Sequence, residues 1–240
     1  MATAFLSCAL STSFSVSARE ALPIPEPMVF DLVRGLGAKQ GEFEINTLGE
    51  FALNNTSDRD VEWAPEVEIA VVDGLAVEFE LPFEGRKLEA YKFAVQYTFE
   101  NPLFGDASNY IDGWQFIAEE FRHEDLTEWT ALYLSGFVYD KNYSAMMMTG
   151  ARYSTGDDAE QSLEAIINYT LFYQVNDRMT LGLENDLAWH DRDKWSLLIM
   201  PQVHYELSDK FGVQFGVGAE FNDHKTNYTM GLRIVVEPGH

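Results

Sequence analysis

The sequence predicts an all-β chain, an antiparallel up-and-down transmembrane β-barrel of about twelve strands, on three observations. Apolar and polar residues alternate with period two through most of residues 42–237. Successive side chains of a strand point to opposite faces, so each such segment reads as a strand with one apolar face. The segments run about eleven to thirteen residues, enough to cross a bilayer at a tilt. Their connections also alternate between short turns and charged loops, the pattern of a barrel whose two rims meet different sides of a membrane.

Composition narrows the alternatives. The 240 residues carry 16 basic and 39 acidic side chains, a formal charge of -23, which repels nucleic acid and anionic headgroups. No run of eighteen apolar residues occurs in the body of the chain, which excludes a transmembrane helix but not a barrel. Residues 1–18, MATAFLSCALSTSFSVSA, end in Val16-Ser17-Ala18 and read as a removable export signal, although no Lys or Arg precedes the apolar stretch. Cys8, the only cysteine, lies inside it, so the mature chain would hold neither a disulfide nor a thiolate metal site. A lipoprotein reading of Leu6-Ser7-Cys8-Ala9 is the weaker alternative. Residues 19–41 contain Pro23, Pro25 and Pro27 and then MVFDLVRGLGAKQG. They are read as a linker or a short helix over Met28 to Leu36, leading into the first strand, docked at the barrel entrance or lying in the periplasm.

The barrel is expected over 42–237, beginning with Phe43, Ile45, Phe51 and Leu53 opposed to Glu42, Glu44, Asn46 and Glu50. The hairpin 61–84, VEWAPEVEIAVVDGLAVEFELPFE, fixes its own register. A two-residue turn at Asp73-Gly74 would set Ile69 against Glu78, whereas a three-residue loop with glycine in the left-handed position pairs like faces. Then Ile69 faces Val77, Val67 faces Phe79, Glu68 faces Glu78, Glu66 faces Glu80 and Glu62 faces Glu84. Like charges directly across a ladder are destabilising, so these pairs require water or cations. A three-residue closure at Gly85-Arg86-Lys87 brings Lys92 opposite Glu80 and supplies one. Pro65 and Pro82 fall together near the outer rim, where a lost ladder bond is replaced by water.

Later strands follow at regular spacing: 88–100, 110–121, 127–139, 143–154, 162–173, 179–190, 195–207, 211–222 and 227–237. Two leave their facing open. In 110–121 Trp114 and Phe116 share a row with Asp112 and Glu120, and in 127–139 Trp129 and Tyr133 compete with Leu132 and Leu134. Met146, Met147 and Met148 suggest a soft copper ligand, but gap-filling is preferred because Met147 alternates away from its neighbours. Thr229, Gly231, Ile234 and Val236 fit the final-strand pattern recognised by the barrel-insertion machinery, although the chain continues as Glu237-Pro238-Gly239-His240. Aromatics recur near strand ends, at Trp63, Tyr91, Phe99, Trp189, Trp195, Tyr205 and Tyr228, as interfacial girdles do. A soluble lipocalin-like barrel or sandwich shares the alternation and is the competing fold.

With GEFEI, DGLAVEFELPFE and NYTMGLRI in place, residues 41–236 resemble the bacterial outer-membrane barrels of the MetA-pathway of phenol degradation or transporter-like family. The resemblance implies an outer-membrane channel or transport component in a Gram-negative cell. The alternation itself directs Glu44, Glu50, Glu66, Glu68, Glu78, Glu80, Glu184, Asp186, Glu206 and Glu220 to the lumen, with Lys92, Arg152, Arg233, His190 and His204. An acidic lumen of that kind favours cations by its field. A closed barrel held by internal ion pairs, serving as a scaffold or docking a partner, is the alternative. Catalysis is not expected: Ser196 and His204 sit eight residues apart on one strand, roughly 26 Å. A His190, His204 and Glu206 metal site across neighbouring strands is the weaker reading of those histidines. No cofactor is expected, and the partners are outer-membrane lipid, the insertion machinery and a small solute or cation.

Overall fold

The computed structural model describes residues 22–30, 32–57, 59–159, 163–191, 194–222 and 225–238; the proposed export signal lies outside them. Its strands are β1 (Phe43–Ala52), β2 (Glu62–Val72), β3 (Leu75–Glu80), β4 (Phe83–Glu84), β5 (Lys87–Leu88), β6 (Ala90–Thr98), β7 (Tyr110–Phe121), β8 (Thr127–Val138), β9 (Tyr143–Thr155), β10 (Leu163–Asn176), β11 (Met179–Asp191), β12 (Lys194–Ser208), β13 (Phe211–Asn222) and β14 (Thr226–Val236). Each pairs antiparallel with its neighbours, and β1 pairs with both β2 and β14, so the sheet closes. Twelve strands form the wall, while the small hairpin β4–β5 prolongs the β3 line at one rim. Closure leaves the twelve-strand wall without an unpaired edge among the described residues, which a bilayer interior requires.

The opening hairpin adopts the register that its face pattern dictates. Glu66 faces Glu80, Val67 faces Phe79, Glu68 faces Glu78 and Ile69 faces Val77, and the ladder shifts between Ala70 and Val72. Gly74 takes φ 77°, the left-handed conformation that closes this bulged turn. Lys92 does face Glu80, but the closure at Gly85 differs from the expected three-residue loop. Glu84 pairs directly with Lys87 around the two-residue turn Gly85-Arg86, with Gly85 at φ 57°. The one-residue difference is absorbed where β3 breaks at Leu81-Pro82, because proline contributes no ladder donor; Glu89 N–H instead donates to Pro82 O at 2.9 Å.

The facing of the sheet decides between lipid and water. Val67, Ile69, Phe79 and Phe93 point outward and are 39–48% exposed, while Glu66, Glu68, Glu78 and Glu80 point inward and are at most 7% exposed. A soluble sheet buries its apolar row. Here the row is the outer surface of a closed barrel, so the lipocalin-like reading fails and the exterior is a lipid-facing band. Two aromatic belts border it. Trp189 opposes Trp195, Trp129 opposes Tyr153, and Trp63 stacks on Phe83 at 4.4 Å toward the loop rim. Tyr143 opposes Tyr173 and Tyr110 opposes Phe137 toward the turn rim. The chain is therefore a membrane-spanning barrel by its own surface chemistry.

Inside, the barrel is filled by the segment that precedes it. Among its described residues, 22–41 contains no helix, in contrast to the expected short helix at Met28 to Leu36, and it lies within the lumen rather than at the entrance. The physical reason is the destination of its backbone N–H groups, which donate to wall side chains instead of to carbonyls four residues back. Leu32 and Leu36 pack against Leu132, Leu134, Met146, Met148 and Phe172. That apolar seat orients β8 and β9: Leu132, Leu134, Met146 and Met148 face in, and Trp129 and Met147 face out. The three methionines thus split between two faces and act as packing. Met28 lies over Gly216 and Gly231, where a Cβ would approach its Cε to 2.8 and 2.6 Å. On β7, Gln115 is buried inside while Trp114 and Phe116 face out. Asp112, also buried, accepts from Tyr133 Oη and from Leu103 N–H.

Candidate functional site

Two arginines organise the interior carboxylates. Arg233, on β14 and fully buried, donates from Nη2 to Glu66 at 3.2 Å and Glu68 at 3.5 Å, and from Nε to Asn46 at 3.1 Å. It also reaches Pro27 O at 3.4 Å and lies 3.8 Å from Glu44. Arg34, on the interior segment, pairs with Glu44 and with Glu237 at 3.1 Å, and lies 3.8 Å from Glu68. Burial works against its charge, but the carboxylates of Glu26, Glu44 and Glu68 and the hydrogen bond to Glu237 outweigh it and raise its pKa above the ordinary arginine value. Lys92 pairs with Glu80 and lies 3.7 Å from Glu78. Two facing glutamate pairs of the hairpin, Glu66 with Glu80 and Glu68 with Glu78, thus receive cations from β6, β14 and the segment, which answers the repulsion of their register. Glu66, Glu68 and Glu78 bring one oxygen each within 4.8 Å of one another, the spacing of a metal site, but Arg233 and Lys92 occupy that role.

Glu184 anchors the segment. Its Oε2 accepts from Met28 N–H at 3.0 Å and Val29 N–H at 3.1 Å, its Oε1 from Phe30 N–H at 2.9 Å, and Gln202 Nε2 donates to Oε2 at 3.1 Å. Further along, Gln96 accepts from Val33 N–H and donates to Arg34 O. Thr98 Oγ1 accepts from Gly37 N–H at 3.0 Å, and Asp73 from Gln40 N–H at 2.7 Å. Arg34 and this chain of anchors escape sequence reasoning, since no pattern within 22–41 says which wall residues it meets. The usable signal was the presence of buried-type polar residues, Gln96 and Thr98, on an inward row that needs partners.

The segment divides the interior. On the loop side two adjoining cavities of about 640 and 400 Å³ share Val29, Phe30, Glu50, Glu62 and Arg152. The larger also meets Glu66, Glu80 and Lys92; the smaller meets Asp186, Glu220 and Glu164. Arg152 lies 3.4 Å from both Glu128 and Glu164, and His190 pairs with Glu164. On the turn side a cavity of about 500 Å³ meets His204, Glu206, Glu26, Glu44 and Glu237. His204 pairs with Gln202 at 3.1 Å and packs edge-on against Phe172. The three-residue metal reading is not assembled: Thr180 is the β11 partner of His204, which leaves His190 ten residues farther along, roughly 30 Å away. Ser196 faces Ala188 on β11 and stands no closer to a histidine pair.

The model of the HAEPLYID-like family matches residues 22–237, taking in the interior segment and every strand of the barrel. No curated protein matches the chain. Among solved structures, an outer membrane channel from Pseudomonas putida F1 superposes with a TM-score of 0.64 at 12% identity, over 84% of this chain and 97% of that one. The NanC porin gives 0.63 at 10% identity, over 81% and 99%. The KdgM porin in complex with disordered oligogalacturonate gives 0.62 at 10% identity, over 82% and 99%. At such identities the likeness is one of fold, a membrane-spanning porin-type barrel.

Proposed function

We propose that this chain, which belongs to the HAEPLYID-like family, is a passive outer-membrane channel whose acidic lumen favours cations and whose passage is set by its interior segment. The observation that carries this reading is the surplus of inward carboxylates over inward cations on both sides of the segment. Glu50, Glu62, Asp186 and Glu220 border the loop-side cavities and Glu206 the turn-side one, beyond the glutamates already paired with Arg34, Arg233 and Lys92. Carboxylates in a narrow, low-dielectric passage concentrate cations and repel anions. The KdgM porin is described with oligogalacturonate, a polyanion; the interior charge here suits solutes of the opposite sign. The finer likeness to phenol-pathway barrels would add an aromatic solute.

Reconstitution in a planar bilayer under a salt gradient tests the channel. The expected reversal potential has the sign of cation preference, and Glu66→Gln with Glu80→Gln moves it toward zero. Absence of conductance, or anion preference, overturns the proposal. A closed barrel serving as a scaffold is the second reading, favoured by one observation: the segment crosses the lumen, donates hydrogen bonds to β6, β11 and the β2–β3 turn, and accepts one from β14. A barrel that inserts into lipid and never conducts would support it.

A further inference from the structure

We propose that the two adjoining loop-side cavities are one binding site for an aliphatic diamine or polyamine, with an ammonium among the carboxylates of each cavity and the methylene chain lying over Val29 and Phe30. The site deepens the cation-channel reading and rests on its acidic lumen. Three observations carry it. First, Glu50 faces Glu62 across β1–β2, and Glu62 faces Glu84 across β2–β4. None of the three forms an ion pair with Arg or Lys among the described residues; Arg59 and Arg152 border the cavities without pairing with this row of like charges.

Second, the smaller cavity holds unsatisfied groups. Asn168 is only 2% exposed, yet its Nδ2 has no partner. Opposite it on β11 both carboxylate oxygens of Asp186 are also without a partner. Both residues border the cavity. A buried polar group left unpaired is costly, so the two open oxygens of Asp186 mark a place where a donor on a ligand completes the bonding. An ammonium brings three donors and no acceptor, which serves the two Asp186 oxygens and not the Asn168 amide donor. Third, the floor that the cavities share holds the apolar Val29 and Phe30 beside Glu50, Glu62 and Arg152, with further carboxylates at either end. A hydrated metal ion has no use for that floor and an anion is repelled by its rim. A molecule with two cationic ends and an apolar middle matches both features.

The test is calorimetric titration of the full chain, folded in detergent at low salt, with spermidine and diaminohexane against hexylamine and magnesium chloride. The diamine is expected to bind at least about tenfold more tightly than hexylamine, and Asp186→Asn and Glu62→Gln each to weaken it about tenfold. Heat-modifiable mobility on a gel verifies that each variant is folded. Equal affinity for hexylamine or magnesium, or unchanged binding in both folded variants, overturns the site. Cation-preferring conductance without diamine preference refutes this site alone. Diamine binding by a barrel that does not conduct refutes the channel alone.

Discussion

The replacement Glu184→Gln tests how the interior segment is held. In the parent, one carboxylate accepts three consecutive backbone N–H groups, from Met28, Val29 and Phe30, at 2.9–3.1 Å, and a fourth bond from Gln202. Hydrogen bonds to a charged group contribute about 1.5–3 kcal/mol, against about 1 kcal/mol for neutral pairs. Removing the charge therefore forfeits about 1 kcal/mol per backbone bond. The amide also turns its own NH₂ donor toward an amide donor, which leaves part of the nest unpaired. The sum, about 3 kcal/mol, shifts the local docking equilibrium of residues 28–30 roughly a hundredfold toward release. Hydrogen exchange read at these amides is expected to accelerate by about that factor, while the strands of the barrel keep their protection. Single-channel recording of the same variant is expected to show longer or larger openings. Because Arg34 still ties the segment to Glu44 and Glu237, the double change with Arg34→Met should exceed the sum of the two alone. Unchanged exchange at 28–30 together with unchanged conductance would show that Glu184 does not hold the segment, and the reasoning would fall.

Other parts of the structure give further outcomes. Arg233→Met strands Glu66, Glu68 and Glu44 in a buried site and is expected to cost about 3–5 kcal/mol in urea unfolding within lipid vesicles, with Arg233→Lys in between; a midpoint equal to the parent's contradicts the assigned role of Arg233. Ile167→Arg, on the lipid-facing row at 47% exposure, should cost about 2–4 kcal/mol in the same assay. A neutral effect would mean that this face does not meet the bilayer interior. Gly150→Ala would place a Cβ 1.9 Å from the Ala131 carbonyl oxygen and should destabilise the barrel by about 1–3 kcal/mol through a forced shift of β8 against β9. Gly231→Ala meets the flexible end of Met28 closely and Leu48 only at ordinary contact distance, so the loss should be smaller than at Gly150 and confined to exchange protection near Met28.

The sequence by itself determined the wall. Period-two alternation has only two phases, and where one face is uniformly apolar a one-residue slip exposes every error. That is why the register of the opening hairpin, Glu66 with Glu80 and Ile69 with Val77, was legible from residues 61–84 alone, and why the bounds of β7, β13 and their neighbours were too. Where polarity was mixed the phase stayed open. Leu132 and Leu134 look outward by composition, and they face inward because Leu32 and Leu36 await them there. Which way Glu44, Glu68 and Arg233 face followed from the alternation; what they touch did not. Arg34, the anchoring bonds of Glu184 and the filled lumen were decided only by the tertiary structure. A segment with no repeat of its own takes its path from hydrogen-bond partners scattered between Thr98 and Gln202, and contacts at such separations leave no periodic trace along the chain.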